Sequence, residues 1–271
     1  MSNAVPEGHR LTEQRPELPP AGAFGRVAVD GEEWHCRFAG DTVELLDGPA
    51  WESDAAAVGE ARLHDCRLLA PAVPGKVVAV GLNYRAHADE LAMAVQAEPI
   101  LFMKPRTAVI GPGERIVLPA RSSQVDYEAE LVVVVGRRCK HVTPVEAADY
   151  VAGYACGNDV TARDLQRIDG QWTRAKSFDT FCPLGPWIVP GAPLAGARVS
   201  ARLDCAEVQH GFVGDMIVTP LELLSFASGI MTLEPGDVLM TGTPPGVGPL
   251  AAGQTVTVSV DGVGALSNLV C

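Results

Sequence analysis

Long hydrophobic runs and clustered cysteines are both missing from this chain of 271 residues. No stretch approaches the roughly 18 apolar residues of a membrane span, and the N-terminal segment has no apolar core of a secretion signal. The seven cysteines are odd in number and include no Cys-x-x-Cys pair, so neither a disulfide framework nor a zinc site is indicated. We expect a soluble, cytoplasmic protein that does not act at a membrane.

Basic residues are scarce, and internal repeats are missing. The chain has 21 basic against 33 acidic residues and a net charge of −12, which argues against nucleic acid and anionic membranes as partners. An enzyme of this charge that acts on small anions needs local cations in its site. Hydrophobic residues make up 47% of the chain, enough for an ample core without disulfides or metal staples.

The pattern also lacks the strict strand–helix alternation of a doubly wound fold. The 28 glycines and 21 prolines instead separate short, valine-rich runs, which is typical of many strands joined by turns. We predict an α+β, β-dominated fold with peripheral helices. A small β-rich N-terminal domain is expected over residues 1–73, with a frayed arm over residues 1 to about 20, followed by a larger domain over residues 74–271.

Four segments carry helix signals. The stretch YRAHADELAMAV has apolar residues at helical spacing, and PLELLSFASGI reads as a second good helix. TPVEAADYVAGYACGND begins with Thr-Pro and acids in the first turn, which favours a helix there. In TARDLQRI the Thr-x-x-Asp start resembles a capping box, which would place Asp159 in the tight turn before a helix.

The run VDYEAELVVVV, residues 125–135, carries three carboxylates at the start of an apolar strand. Alternate side chains of a strand share a face, so Asp126, Glu128 and Glu130 would lie beside buried valines. Buried carboxylates without partners cost several kcal/mol each, so a lysine, an arginine or a metal ion should contact them. With Asp159, the two glutamates would form an all-oxygen site of the kind that Mg²⁺ and Mn²⁺ prefer. An edge strand with a solvated acidic end explains the same pattern.

Other residues with chemical potential are scattered along the chain. His87 and Glu90 are three apart in a short helix, so the carboxylate can orient the imidazole as a general base, although exposed helical pairs have the same spacing. Lys176 and Lys104 have apolar neighbours and are expected to be partly buried near anions. The turn TGTPPGVG can present backbone N–H groups and the Thr243 hydroxyl to a carboxylate.

Taken in order, six segments resemble the fumarylacetoacetate hydrolase family: GLNYRAHADE, PILFMKPRTAVIG, VDYEAELVVVVG, GNDVTARDLQ, WTRAKSFDTFCPLGPWI and GDVLMTGTPPGVGP. The resemblance covers residues 74 to about 265. It implies a mixed β-sandwich roll and a homodimer. One departure is GFVGDMIVTPLELL, where many relatives read Asn-Thr-Ser before Asp-Met; the loop keeps Asp215 and Met216, and it can shape the distal end of the substrate site.

The resemblance also assigns roles. It implies that Glu128, Glu130 and Asp159 bind Mg²⁺ or Mn²⁺, and it gives Asp126 a supporting role as a hydrogen-bond acceptor.

His87 and Glu90 match the family's catalytic dyad, and Lys176 matches a cation beside metal and substrate. Arg106 could meet a second carboxylate or lie on the surface. Four further residues are expected to bind substrate: Arg163, Gln166, Thr243 and Lys104.

The predicted function is therefore Mg²⁺- or Mn²⁺-dependent hydrolysis of a C–C bond in an acylpyruvate-type 2-oxo acid from aromatic-compound catabolism. The first alternative is a decarboxylase or isomerase of oxaloacetate or hydroxymuconate-type dicarboxylates. The second is a metal- or ligand-binding module without turnover, which would have no chemical need for His87, Glu90 and Lys176.

Overall fold

The structure is a computed structural model that describes residues 18–191 and 195–271. The strands are β1 (Phe24–Val29), β2 (Glu32–Ala39), β3 (Thr42–Leu46), β4 (Ala57–Arg62), β5 (Arg67–Leu68), β6 (Val77–Gly81), β7 (Ile100–Lys104), β8 (Val109–Ile110), β9 (Arg115–Ile116), β10 (Val125–Tyr127), β11 (Ala129–Val135), β12 (Val151–Asn158), β13 (Thr161–Ala162), β14 (Cys182–Val189), β15 (Arg198–Leu203), β16 (Ala206–Phe212), β17 (Val238–Met240), β18 (Gly248–Pro249), β19 (Thr255–Val260) and β20 (Gly264–Val270). The α-helices are α1 (Arg85–Glu90), α2 (Arg163–Asp169), α3 (Thr173–Lys176) and α4 (Pro220–Ile230).

The described strands form three sheets. The largest has the order β4-β3-β2-β1-β14-β12-β11-β17-β6-β7, with β5 paired to β1 and β8 paired to β14. A second sheet has the order β16-β15-β19-β20-β9, and a third, short sheet has the order β13-β10-β18. Most pairs are antiparallel, while β17–β6, β14–β8 and β20–β9 are parallel. This mixed, strand-rich architecture confirms the predicted α+β, β-dominated fold.

The main core lies between the two larger sheets. Leu131 and Val133 of β11 pack in one buried cluster with Val199 of β15 and Val258 of β19. The intervening valines of β11, including Val132, belong to a second cluster on the opposite face of the large sheet. Strand β11 is therefore apolar on both faces, which is why its sequence reads as a continuous run rather than an alternation.

The sequence pattern predicted one strand over the acidic run, and this prediction is wrong. The run divides at Glu128 into β10 and β11, which belong to different sheets. Two hydrogen bonds to the end of β12 and the residue after it hold the break: the Glu128 N–H donates to Asn158 Oδ1 at 2.9 Å, and the Asp159 N–H donates to the Glu128 carbonyl at 2.9 Å. The break places Glu128 against the end of β12 instead of inside a ladder.

Two helix predictions are confirmed and two need correction. Helices α1 and α4 form where expected, and Thr219 with Glu222 makes a capping box on α4. The helix after Asp159 begins only at Arg163, and the predicted Thr-x-x-Asp box is wrong because Asp164 accepts hydrogen bonds from Ser122 and Ser123. The Thr-Pro segment near residue 143 yields only a 3₁₀ turn, Ala147–Tyr150, before β12 begins.

The N-terminal strands continue the large sheet instead of forming a sheet of their own. Strand β1 pairs with β14 through Phe24 and Ile188, and Trp187 of β14 packs in the buried cluster of β1–β3. The domain division at residue 74 stays a prediction, and the predicted arm lies, up to residue 17, outside the described residues. Among the described helices, none has the length and apolar character needed to cross a membrane.

Candidate metal and substrate site

Three buried carboxylates converge where β10, β11 and β12 meet. One oxygen from each of Glu128, Glu130 and Asp159 lies within 4.8 Å of the others. Glu130 lies on β11, Glu128 at the break before it, and Asp159 directly after β12, which pairs with β11 through Ala129 and Asn158. The strand pairing thus brings together residues about thirty positions apart in the sequence. Three hard oxygen ligands in one cluster are suited to Mg²⁺ or Mn²⁺.

Three buried cations surround this acidic cluster. The Lys176 ammonium donates to Glu128 Oε2 at 2.8 Å and to Asp159 Oδ2 at 2.7 Å. Arg163 binds Glu128 through Nη2 and donates from Nε to Asp126 Oδ2 at 2.8 Å. Lys104, whose side chain has no exposed surface, pairs with Asp159 and donates to the Val160 carbonyl at 3.1 Å. Asp126, Glu128 and Asp159 are therefore paired with cations, as burial requires.

The pKa values of the two glutamates are shifted in opposite directions. Burial raises the pKa of Glu128, but Lys176 and Arg163 outweigh burial and hold that pKa well below its usual range. For Lys176, burial opposes the charged form, yet Asp159 and Glu128 prevail and raise its pKa. Burial and the neighbouring Asp159 and Glu128 raise the pKa of Glu130 well above its ordinary value.

Glu130 is the member of the cluster that still needs a positive partner. Within the described residues no lysine or arginine forms a salt bridge with it, and the hydrogen bond found is from the Gly242 N–H to Oε2 at 2.7 Å. Gly242 has a φ of +96°, and a Cβ there would lie 2.7 Å from Asn83 Cβ, so only glycine fits this approach. A divalent cation would relieve the repulsion around Glu130, so the donor set fits such an ion.

The predicted catalytic dyad faces the same pocket. His87 Nδ1 lies 3.0 Å from Glu90 Oε2, and His87 lines one pocket together with the three carboxylates. The Gly246 N–H donates to Glu90 Oε1 at 3.0 Å, which ties α1 to the Thr-Pro-Pro-Gly turn. With a proton on Nδ1 directed at Glu90, Nε2 keeps the lone pair that a general base uses.

The turn that carries Thr243 is fixed by a buried glutamine that sequence reasoning missed. Gln209, on β16, accepts from the Ala129 N–H at 3.0 Å and donates to the Thr243 hydroxyl and to the Pro244 carbonyl at 2.6 Å. Thr243 itself donates to the Ala129 carbonyl at 2.8 Å. One amide side chain thus links the backbone between Glu128 and Glu130 to this turn. No local pattern in the sequence marks Gln209 for this position.

The other predicted residues divide into two groups. Arg163, Gln166, Thr243 and Lys176 line the pocket, and Arg163 donates from Nη1 to Gln166 Oε1 at 2.7 Å.

Lys104 does not line the pocket. Its ammonium contacts Asp159 and the Val160 carbonyl, so Lys104 can hold the Asp159 carboxylate in position but does not face the pocket. Arg106 is exposed and also outside the pocket lining. Trp172 and Leu82, which do line it, were not singled out from the sequence.

The chain is similar to proteins of known sequence and structure. The profile of the fumarylacetoacetate (FAA) hydrolase C-terminal domain matches residues 76–271. The chain is 39% identical over 227 residues to the fumarylacetoacetate hydrolase domain-containing protein 2 homolog of Dictyostelium discoideum, covering 76% of this chain and 74% of that protein.

Two solved structures extend the comparison. The 2-hydroxyhepta-2,4-diene-1,7-dioate isomerase of Mycobacterium marinum superposes with a TM-score of 0.85 at 40% identity, covering 92% of this chain and 98% of that one. The fumarylpyruvate hydrolase of Pseudomonas aeruginosa, in complex with Mn²⁺ and pyruvate, superposes with a TM-score of 0.69 at 34% identity, covering 73% of this chain and 89% of that one.

Proposed function

The chain belongs to the fumarylacetoacetate hydrolase family, and from this membership and its site we propose that it hydrolyses a C–C bond in an acylpyruvate-type 2-oxo acid with a divalent metal. The observation that carries the proposal is that His87, whose Nδ1 contacts Glu90, lines the same pocket as the three buried carboxylates. Carboxylates alone would serve a binding site, whereas an oriented imidazole beside them serves chemistry.

We propose that Glu128, Glu130 and Asp159 hold Mg²⁺ or Mn²⁺. When bound, the ion supplies a Lewis acid for the adjacent 2-oxo and carboxylate oxygens of the substrate. The Mn²⁺ and pyruvate of the Pseudomonas aeruginosa structure support this choice of metal and of substrate end.

The residues of this chain supply the rest of the reaction. His87, oriented by Glu90, takes a proton from water, and the resulting hydroxide attacks the distal carbonyl carbon. The bond between C3 and C4 then breaks, its electron pair stays on the pyruvyl fragment, and the buried Lys176 ammonium stabilises that charge. The proton that His87 took from water is returned to C3 of the fragment, which gives pyruvate, and the acyl group leaves as a carboxylic acid. One water is consumed for each bond cleaved.

The second candidate function is a lyase or isomerase of a 2-oxo dicarboxylate on the same residues. The name of the Mycobacterium marinum relative favours it. Isomerisation moves a proton from one atom of the substrate to another and would use His87 as its base, so its products are what distinguish it from hydrolysis. Decarboxylation uses the electron sink but needs no attacking water, so it leaves His87 and Glu90 without a necessary role. A module without turnover leaves them and Lys176 unexplained as well.

A panel of acetylpyruvate, oxaloacetate and a hydroxymuconate, assayed separately with Mg²⁺ and Mn²⁺, tests the proposal. We expect acetylpyruvate to be cleaved with the higher kcat/KM and the activity to disappear with EDTA. Preferred turnover of oxaloacetate or of the hydroxymuconate would support the lyase or isomerase function instead. Assembly as a homodimer and cytoplasmic location stay predictions.

The contact between Glu90 and the Gly246 N–H gives a further prediction. Gly246 has a φ of +100°, and a Cβ there would lie 2.6 Å from the Val208 carbonyl oxygen, so Gly246→Ala should displace the turn and release Glu90. We expect kcat to fall roughly tenfold, because a misoriented base loses part of its contribution, while Mn²⁺ affinity is unchanged.

Gly253→Ala is the matched control for that variant. Gly253 has a φ of +90° but no atom within 4 Å of an added Cβ, so it carries the same backbone strain away from the site. Equal losses of kcat in the two variants, measured by steady-state kinetics, would show that Gly246 acts through general strain and not through Glu90.

A further inference from the structure

The pocket has two chemically different ends. The polar end is formed by the three carboxylates and by five further side chains: His87, Lys176, Arg163, Gln166 and Thr243. The remaining wall is apolar and is built by six side chains: Val80, Leu82, Leu91, Met93, Phe102 and Trp172. A 2-oxo acid whose oxygens lie at the polar end would direct its acyl group toward this apolar wall. The chemistry of the wall therefore bears on which acyl groups the protein accepts, provided the proposed function holds.

The apolar wall is held in position by close packing. Trp172 lies over Gly81 at the end of β6, where an added Cβ would come within 2.4 Å of the indole Cζ3. The rings of Trp172 and the buried Phe102 meet edge to face, with centroids 5.3 Å apart and an interplanar angle of 75°. Gly81 is therefore the residue that admits the indole, and the indole forms a fixed surface for a ligand.

The cations at this pocket are already engaged by its carboxylates. Lys176 bridges Glu128 and Asp159, and Arg163 binds Asp126 and Glu128. No other lysine or arginine is among the described residues that line the pocket.

The segment that contributes Leu91 and Met93 to the pocket offers no cation either. Residues 91–99, LAMAVQAEP, carry Glu98 as their one charged side chain. Arg106 and Arg85 are exposed and lie outside the lining. A second carboxylate on the acyl group would thus be moved from water toward an apolar wall without a cation to receive it, which is costly.

From this arrangement we infer that the protein selects 2-oxo acids whose distal group is uncharged and apolar, and that it discriminates against substrates with a second, distal carboxylate. Each methylene that packs on the wall is expected to raise affinity about fourfold until the wall is covered. A terminal carboxylate in place of a terminal methyl is expected to lower affinity at least about tenfold. The inference deepens the proposed function and rests on it for the orientation of the ligand.

The test is a pair of ligands that differ only in the distal group and that the proposed reaction does not cleave. 2-Oxoheptanoate and 2-oxoheptanedioate have the same chelating end and chain length, but the first ends in a methyl and the second in a carboxylate. Calorimetric titration of the Mn²⁺-loaded protein should give at least about tenfold tighter binding of 2-oxoheptanoate. Equal or tighter binding of 2-oxoheptanedioate would overturn the inference.

Two variants locate the effect on the wall. Met93 is 39% exposed, so Met93→Arg can place a cation at the wall without burying it. The preference for 2-oxoheptanoate over 2-oxoheptanedioate should shrink about tenfold in this variant. The matched variant Met93→Leu should keep the parent's ratio of the two affinities. Trp172→Ala should weaken 2-oxoheptanoate at least fivefold and leave oxalate binding unchanged, because oxalate has no distal chain. An unchanged preference in Met93→Arg together with unchanged 2-oxoheptanoate binding in Trp172→Ala would contradict the assignment.

Failure of the proposed function gives a different result. If no acylpyruvate is cleaved but 2-oxoheptanoate still binds more tightly than the diacid, the reaction is wrong and the selectivity stands. If acylpyruvates are cleaved but succinylpyruvate is preferred to butanoylpyruvate, which differ by the same methyl-to-carboxylate change, the reaction stands and the selectivity is wrong.

Discussion

Glu130→Gln is expected to lower acylpyruvate cleavage at least about 10³-fold and Mn²⁺ affinity at least roughly 100-fold. The substitution keeps the shape of the side chain and its hydrogen bond from the Gly242 N–H, but removes the charge that faces Glu128 and Asp159. Residues that only orient metal ligands already contribute 10- to 100-fold to affinity, so a direct ligand should contribute more. Calorimetry with Mn²⁺ and steady-state kinetics measure the two effects. Unchanged Mn²⁺ affinity would contradict the site.

The same variant has a predictable effect on stability without metal. The pKa of Glu130 is raised by burial and by Asp159 and Glu128, so the folded protein binds its proton more tightly than the unfolded chain does. The metal-free parent therefore loses stability as pH rises from the ordinary glutamate pKa through the raised value, and Glu130→Gln should lack this loss. Urea unfolding in EDTA across this pH range should find the variant the more stable at the alkaline end.

A second glutamate and a surface control complete that experiment. Lys176 and Arg163 outweigh burial and lower the pKa of Glu128, so its contribution is lost as pH falls, and Glu130→Gln should keep this loss on the acid side. Glu60→Gln, on exposed strand β4, should leave the parent's pH profile and Mn²⁺ affinity unchanged. An identical alkaline loss in the parent and in Glu130→Gln would show that another group titrates there.

His87→Ala is expected to lower acylpyruvate cleavage by roughly 10²- to 10⁴-fold, the usual contribution of a general base. The imidazole is buried at the pocket and contacts Glu90, but the three clustered carboxylates do not depend on it for a hydrogen bond. Mn²⁺ and oxalate should therefore bind nearly as in the parent. Any decarboxylation of oxaloacetate should fall less, because that reaction draws on the electron sink and not on an activated water.

His210→Ala is the matched control for the loss of a histidine. His210 is exposed on β16 and lies outside the pocket that His87 lines, so its removal should leave both reactions unchanged. If His87→Ala cleaves acylpyruvates at the parent rate, the dyad is not the base, and the lyase reaction becomes the better account of the site.

The sequence predicted which acidic residues lie together, but it did not predict the backbone path that brings them together. Alternation in the acidic run placed Glu128 and Glu130 in the core and required a positive partner, and the structure supplies Lys176 and Arg163 to Glu128. The break of the strand at Glu128 was not predicted, since it depends on hydrogen bonds to Asn158 and Asp159, about thirty residues away. Such long-range bonds leave no local pattern.

The directions of buried side chains account for most of the remaining differences between the sequence predictions and the structure. The apolar neighbours of Lys104 predicted a partly buried ammonium near anions, and Lys104 is buried and paired with Asp159. The expectation that it binds substrate came with the family resemblance, but Lys104 does not line the pocket. Gln209 was missed because a glutamine in an exposed-looking strand carries no sign that its amide reaches Ala129 and Thr243. Trp172 was missed because the small residue it covers, Gly81, lies far from it in the sequence.

Cleavage of acetylpyruvate in ¹⁸O-labelled water tests the central claim most directly. Hydrolysis by the base-activated water requires pyruvate and acetate in equal amounts, with one ¹⁸O in the acetate carboxylate for each bond broken. Mass spectrometry and proton NMR of the products measure both quantities with Mn²⁺ present and after EDTA. The account predicts labelled acetate that forms only with the metal. Release of pyruvate without labelled acetate, or the same rate in EDTA, would contradict it.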